Sequence, residues 1–283
     1  MTNLTVNLKE KIGFGALFLA TMAVVVPVLC IIWLIVTRGW SAISWEFLFT
    51  MPRDGMRAGG IFPAIVGTFY LVLGSVAFSL PVGVMAAIYL NEYAKDNFLT
   101  RMINLAIINL SGVSSVVYGL FGLSLFVVFF RFGVSIISGS LTLGIMTLPV
   151  IITTTREALR AVPKPFREVS FSLGTTRWQT IRHAVLPFAL PGILTGAILS
   201  IGRAAGETAP ILFTVAAFYL PNLPNSPFDQ AMALPYHLYI ISTQIPNIRL
   251  DYRYGTALVL VGFVLIMNIS AIVVRSKFRK KRW

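Results

Sequence analysis

The chain is 283 residues long, 57% hydrophobic and only 12% charged, with a mean hydropathy of +0.82. That composition excludes a soluble globular domain and identifies an integral membrane protein. A single cysteine, Cys30, excludes an intrachain disulfide, and His183 and His237 have no carboxylate or thiol cluster beside them, so no metal site is expected.

Six runs, charge-free apart from Arg203 and Glu207 in the fifth, are each long enough to cross a hydrocarbon core of about 30 Å, for which roughly 20 residues are needed. In chain order they are 13–36, 61–90, 102–130, 132–155, 185–220 and 254–274. The first follows Lys9 and Lys11, but it is too long for a signal peptide and has no A-x-A-like cleavage site, so it reads as an uncleaved span. Cys30 sits within it as a small packing residue. No repeat or second soluble domain is visible, and 1–283 reads as one transmembrane domain. Small residues such as Gly112, Gly119 and Gly122 are expected where spans approach closely.

The loops set the orientation. With the N-terminus inside, the cytoplasmic segments hold 16 basic residues: Lys9, Lys11, Lys95, Arg101, six from Arg156 to Arg182 and six from Arg275 onward. The opposite face holds 6: Arg38, Arg53, Arg57, Arg131, Arg249 and Arg253. The positive-inside rule therefore predicts both termini in the cytoplasm. Most of the net charge of +13 is then a topology signal, and no nucleic-acid partner is expected. The basic tail Arg275–Trp283 is expected to rest on anionic membrane lipid.

Within the fifth run, Arg203 and Glu207 are the only charged residues. A charge near the bilayer midplane costs about 2.5 to 3.5 kcal/mol on insertion scales, so ionisable residues there face a bundle interior or a substrate path. A spacing of four puts both on one helix face, where they can pair. Two readings stand: a buried ion pair that fixes helix register, or a pair that a ligand opens. Gly202 and Gly206 bracket the charges and Pro210 follows, which predicts a break near Thr208. Broken helices at membrane depth line cavities. Thr208 places a hydroxyl there, for a ligand or for a backbone hydrogen bond.

The segment 156–184 is the longest cytoplasmic loop. Pro163-Lys164-Pro165 ends one helix and starts another, a short helix from Phe166 to Leu173 that Gly174 closes. Thr176 with Gln179 is a capping-box start for a second helix carrying Trp178. Such an amphipathic helix suits either the groove of a soluble partner or the bilayer surface.

Glu168-Val169-Ser170, then Gly174, then Leu186-Pro187, resembles the EAA loop of ABC importer permeases. Glu157 to Pro163 and Leu190 to Gly196 resemble the phosphate branch of that family, and Gly206-Glu207-Thr208-Ala209-Pro210 is similar to its PstA-type permeases. The resemblance covers about 61–220 and implies an all-α integral membrane fold: six transmembrane helices with a cytoplasmic coupling helix, the type I ABC importer permease fold. It implies a permease subunit in the bacterial plasma (inner) membrane, forming half of a phosphate pathway. It further implies that Phe166, Arg167, Glu168, Ser170, Leu173, Gly174, Thr175 and Trp178 couple to the ATPase. The implied partners are a PstC-type permease, two copies of a PstB-type ATPase and a periplasmic or extracellular phosphate-binding protein.

The sequence departs from the family at Val169 and Ser170, where alanines are usual, at Ala184, and at Ser114, where proline is common. Without that proline the helix break that the family pattern implies near 114 is less strongly specified by the sequence. Arg203 is the expected phosphate contact, because a planar guanidinium binds an oxyanion bidentately. Glu207 can accept a hydrogen bond from a phosphate P–OH, which sulfate lacks, or it can hold Arg203 until substrate arrives. No G-x-x-x-x-G-K-[ST] sequence is present, so the chain is expected to bind no cofactor and hydrolyse no ATP; ATP and magnesium belong to the partner ATPase. Alternatives are a molybdate or sulfate permease of the same architecture, and a membrane scaffold or signalling subunit.

Overall fold

Lipid offers the backbone no hydrogen-bond partner, so apolar runs of this length must satisfy their own donors and acceptors as helices. A computed structural model describes residues 2–220 and 222–280. Its helices in chain order are α1 (Thr2–Gly39), α2 (Trp45–Phe49), α3 (Phe62–Ile88), α4 (Phe98–Ser111), α5 (Ser115–Gly122), α6 (Ile136–Arg160), α7 (Lys164–Ser172), α8 (Arg177–Thr180), α9 (Leu186–Gly206), α10 (Ala209–Thr214), α11 (Leu234–Thr243) and α12 (Leu250–Lys280). A small antiparallel hairpin, β1 (Pro52–Arg53) with β2 (Ala58–Gly59), sits between α2 and α3. Wide π-type turns extend α3 through Tyr89–Tyr93, extend α5 through Leu123–Phe129, and join α8 to α9 through Ile181–Val185. Pro221, and the tail residues Lys281, Arg282 and Trp283, lie outside the described residues.

Five helices, α1, α3, α6, α9 and α12, are long and apolar enough to cross a membrane; α4 and α5 are so only when taken together, as a pair bent by 106°. The run 102–130 is thus two helices and not one rod. Gly112 ends α4, Ser114 takes an extended backbone (ψ 144°) as the N-cap of α5, and the Tyr118 hydroxyl donates back across the corner to the Leu110 carbonyl at 2.8 Å. The break at 114 forms without proline. In the run 185–220, α9 stops at Gly206, α10 covers Ala209–Thr214, and Ala216 then pairs with Ala231 in an isolated bridge. The fourth run becomes helical only at Ile136, where the Ser135 side chain accepts from the Ser138 backbone N–H, and it continues to Arg160.

The most extensive pairing is α3 with α6, followed by α6 with α9. α6 is the central helix: 67% of its most apolar stretch is buried within the protein, against 0% for α1 and α12. Small residues permit the close approach. A Cβ at Gly122 would collide with Thr142 of α6, and one at Gly119 would lie 3.1 Å from the Ala209 carbonyl oxygen of α10. Gly112 differs from that expectation, since a Cβ there would meet only its own turn, the Asn109 oxygen at 3.5 Å.

The segment after α10 is folded down onto the bundle. The first backbone N–H groups of α6 have no partner within the helix; Ile136 donates to the Asp229 carbonyl and Ile137 to that of Pro227, both at 2.9 Å. Leu234 N–H donates to Thr68 Oγ1 of α3 at 2.8 Å, and Met232, Leu234, Ile240 and Ile241 are buried. His237 on α11 is 1% exposed and neither ring nitrogen has a hydrogen-bond partner. Burial alone pushes its pKa from 6.5 down to about 4.

Two outcomes follow from this packing. Gly122→Val should lower the melting temperature of the purified protein in detergent, since overpacking costs about 1–3 kcal/mol, while Gly112→Ala should leave it unchanged; equal melting of both variants would contradict the assigned contacts. The folded protein holds His237 neutral, so the unfolded chain binds the extra proton between pH 6.5 and about 4. Stability is therefore full above pH 6.5 and declines as pH falls toward 4. Melting curves across that window should show a shallower decline in His237→Gln than in the parent.

Candidate functional site

The break predicted from Gly206 and Pro210 is present. Pro210 lacks an N–H and its ring would clash with the carbonyl of Gly206, so α9 cannot continue into α10. Glu207 is extended (φ −77°, ψ 138°), Thr208 caps α10 without a side-chain bond, and the Thr208 carbonyl accepts from Leu212 N–H at 3.0 Å. The Thr208 hydroxyl is therefore not used in capping.

Arg203 Nε lies 3.6 Å from Glu207 Oε1, with the side chains 31% and 20% exposed. That is an ion pair without hydrogen-bond geometry. Both partners flank one break, so the pair ties no second helix in place, and both remain reachable. A Cβ placed on Gly206 would meet nothing within 4 Å, so the break borders open space. Arg203 also offsets the partial negative charge at the C-terminus of α9.

The surroundings orient Arg203. Ala204 and Ala205 are buried against Val72 of α3, and a Cβ placed on Gly202 would lie 3.2 Å from Asn268 Nδ2 of α12. Val72 lies in the middle third of α3, so the charged pair sits level with the middle stretch of that helix and not with its ends. α10 packs against α5 through Gly119, so the corner at 112–114 and the break at 207–208 are neighbours. Tyr118, 4% exposed, bridges the first break and lies within electrostatic reach of Arg203. Its place beside Arg203 has no signal in the sequence beyond a tyrosine in an apolar run.

The cytoplasmic loop forms the helix–corner–helix unit expected of it. Pro163 is the N-cap of α7, Gly174 turns the chain at φ +76°, and Thr176 and Gln179 make both bonds of a capping box at 3.3 and 2.8 Å. The eight expected coupling residues divide by direction. Phe166 (46% exposed), Leu173 (78%), Trp178 (53%), Glu168 and Gly174 face outward. Arg167, Ser170 and Thr175 face the protein.

Ser170 and Thr175 form a hydroxyl triangle with Thr180, at 2.8, 3.0 and 2.9 Å, that fastens α7 to α8. Arg167 Nη2 donates to Glu92 Oε1 at 2.8 Å. Glu92 is a functional candidate that sequence reasoning misses; its signal is an acidic residue that ends a charge-free run on the side of the basic loop. Among the described residues no group of three or more His, Cys, Asp or Glu side chains is placed to hold a metal ion.

Residues 79–282 match the family described as binding-protein-dependent transport system inner membrane component. The chain is 34% identical over 279 residues to the probable ABC transporter permease protein YqgI of Bacillus subtilis (strain 168), covering 94% of each. It is 32% identical over 280 residues to the phosphate transport system permease protein PstA 1 of Mycobacterium tuberculosis (strain CDC 1551 / Oshkosh), covering 98% of this chain and 91% of the relative. In fold it is similar to a chain of a bacterial alginate ABC transporter solved with an alginate pentasaccharide-bound periplasmic protein, with TM-score 0.65 and 15% identity over 97% of this chain and 96% of that one. A bent helix pair, a broken helix at membrane depth and a projecting cytoplasmic helix thus occur in a chain that matches the family over most of its length: the protein is a membrane-spanning permease subunit of the binding-protein-dependent ABC importers, with the type I fold.

Proposed function

We propose that this chain forms half of the translocation pathway of an ATP-driven phosphate importer in a bacterial plasma membrane, with both termini in the cytoplasm. The observation that carries the proposal is the partly exposed Arg203–Glu207 pair, 3.6 Å apart beside open space at a helix break level with the middle of α3. The name of the Mycobacterium tuberculosis relative supports phosphate as the substrate. The excess of Lys and Arg in the segments 156–182 and 275–282 supports the orientation.

The chemistry follows from those groups. An oxyanion leaving water needs charge compensation and several donors, and Arg203 offers a planar fork that is not locked into a hydrogen bond. As phosphate binds Arg203, Glu207 loses its ion-pair partner and gains the P–OH proton as a hydrogen-bond donor. Sulfate brings no such proton and meets an uncompensated carboxylate. The Thr208 hydroxyl completes the contact.

The outward face of α7 fits a cleft of a cytoplasmic ATPase. In the proposed assembly a PstC-type permease supplies the other half of the pathway, two PstB-type ATPase copies bind ATP and magnesium, and a phosphate-binding protein delivers substrate from outside. This chain binds no cofactor and cleaves no ATP. ATP shifts the transporter between inward- and outward-facing states only in so far as it binds one ATPase arrangement better than the other.

Arg203→Lys in the whole complex, reconstituted in liposomes, should lower phosphate uptake about tenfold or more, the loss expected for one charge-assisted bidentate contact. Assembly and ATP hydrolysis should be retained; undiminished uptake would remove Arg203 from the anion path. Glu207→Gln should let sulfate compete with phosphate uptake, and an unchanged phosphate preference would assign selectivity elsewhere.

A further inference from the structure

Arg167 stands in the coupling helix and is charged, yet it is turned away from the face that an ATPase would meet. Its guanidinium is 20% exposed and the Glu92 carboxylate 14%. Nη2 donates to Glu92 Oε1 at 2.8 Å and to the Leu159 carbonyl at 2.9 Å; Nε donates to Glu92 Oε2 at 3.4 Å; Nη1 donates to the Val162 carbonyl at 2.9 Å. Leu159 lies in the last turn of α6 and Val162 just beyond it, where backbone carbonyls lack partners within the helix. Glu92 belongs to the wide turn that ends α3. One side chain therefore ties three elements together, and among the described residues its bonds to Glu92 are the only hydrogen bonds that join α7 to α3.

We infer that the Arg167–Glu92 pair is the strut through which movement of the coupling helix reaches α3 and α6, and that Arg167 and Glu92 are positioning residues for transport and not part of the ATPase-facing surface. The path onward is built from the closest contacts in the bundle. α3 and α6 form its most extensive pairing, and each packs on α9: Val72 of α3 against Ala204 and Ala205, and Thr154 of α6 against Gly196. Those positions flank Arg203. The remaining ties of α7, the hydroxyl triangle to Thr180 and the ring of Phe166 against Phe188 at 5.2 Å, lead first into the helices that follow it in the chain, which meet Leu159 of α6 and Ile88 of α3 in a buried apolar cluster. Without the strut, that apolar cluster and the short chain link 161–163 are what remain to carry movement of α7 to α6 and α3, and neither fixes the direction of α7 as a bonded charge pair does. Two half-buried charges that are bonded to each other and to carbonyls make the joint stiff, and removing one partner leaves the other charge uncompensated.

The inference rests on the ATP-driven reading above, and two readouts separate it from the choice of substrate. In proteoliposomes holding the whole complex, Glu92→Gln should retain assembly and ATP hydrolysis while phosphate transported per ATP falls about tenfold, and Glu92→Asp, which keeps the charge, should retain most of that ratio. In a Cys30→Ser background, Gly206→Cys should change its rate of thiol labelling on ATP addition, and Glu92→Gln should abolish that change. An unchanged ratio and unchanged labelling response in Glu92→Gln would overturn the strut. Weaker ATPase binding with an unaltered ratio would return Arg167 to the docking face and overturn it as well. Failure of both Glu92 variants to assemble would mean a purely folding role, and the strut would fall on that result too. An ATP-dependent labelling response without phosphate uptake in the parent would defeat the phosphate reading, and the effect of Glu92→Gln on labelling would still decide the strut.

Discussion

Within the hydrocarbon core every backbone group must find its partner inside the protein, and the arrangement of this chain depends on that constraint. A straight helix meets it automatically. This chain interrupts two of its crossings, at 112–114 and at 207–208, and each interruption frees donors and acceptors that need a destination. The structure supplies local ones: Tyr118 covers the Leu110 carbonyl, Ser111 Oγ donates to that of Ile108, and Leu212 N–H reaches the Thr208 carbonyl. Setting α5 and α10 side by side through Gly119 places both irregular stretches in one region of the bundle. The charged pair sits at the edge of that region, partly exposed and 3.6 Å apart.

Around this region the bundle has a stiff interior and a loose exterior. α3, α6 and α9 approach at small residues and share their contacts, whereas α1 and α12 present apolar side chains to their surroundings over most of their length. The loop after α10 adds to the stiffness by supplying carbonyls to the start of α6 and a buried helix, α11, beside α3. A scaffold of this kind holds the backbone around Arg203 in place while its side chain stays partly exposed.

Much of this was legible in the sequence, and the gaps have physical causes. The break at 207–208 could be read because proline and two glycines act through local sterics, and the corner at 174–176 because a left-handed glycine and a capping box are local chemistry. The 106° bend at 112–114 could not: Gly112 has an ordinary φ of −92°, no proline is present, and an apolar run has the same composition whether it runs straight or turns. The direction of Arg167 was hidden for a related reason. On most surface helices apolar residues mark the inner face. α7 reverses that, with Phe166, Val169 and Leu173 outward and Arg167 inward, and a helix of nine residues is too short for its pattern to reveal the reversal.

That reversal has a consequence for the life of the chain in the cell. Phe166, Val169, Phe171, Leu173 and Trp178 together form an oily tip, each between 45% and 78% exposed, on a loop that projects from the bundle. Patches of this kind are tolerated while covered and are sticky when bare. A copy in which that tip is left bare is thus an aggregation hazard. Covering it is accordingly a requirement of solubility before it is one of transport.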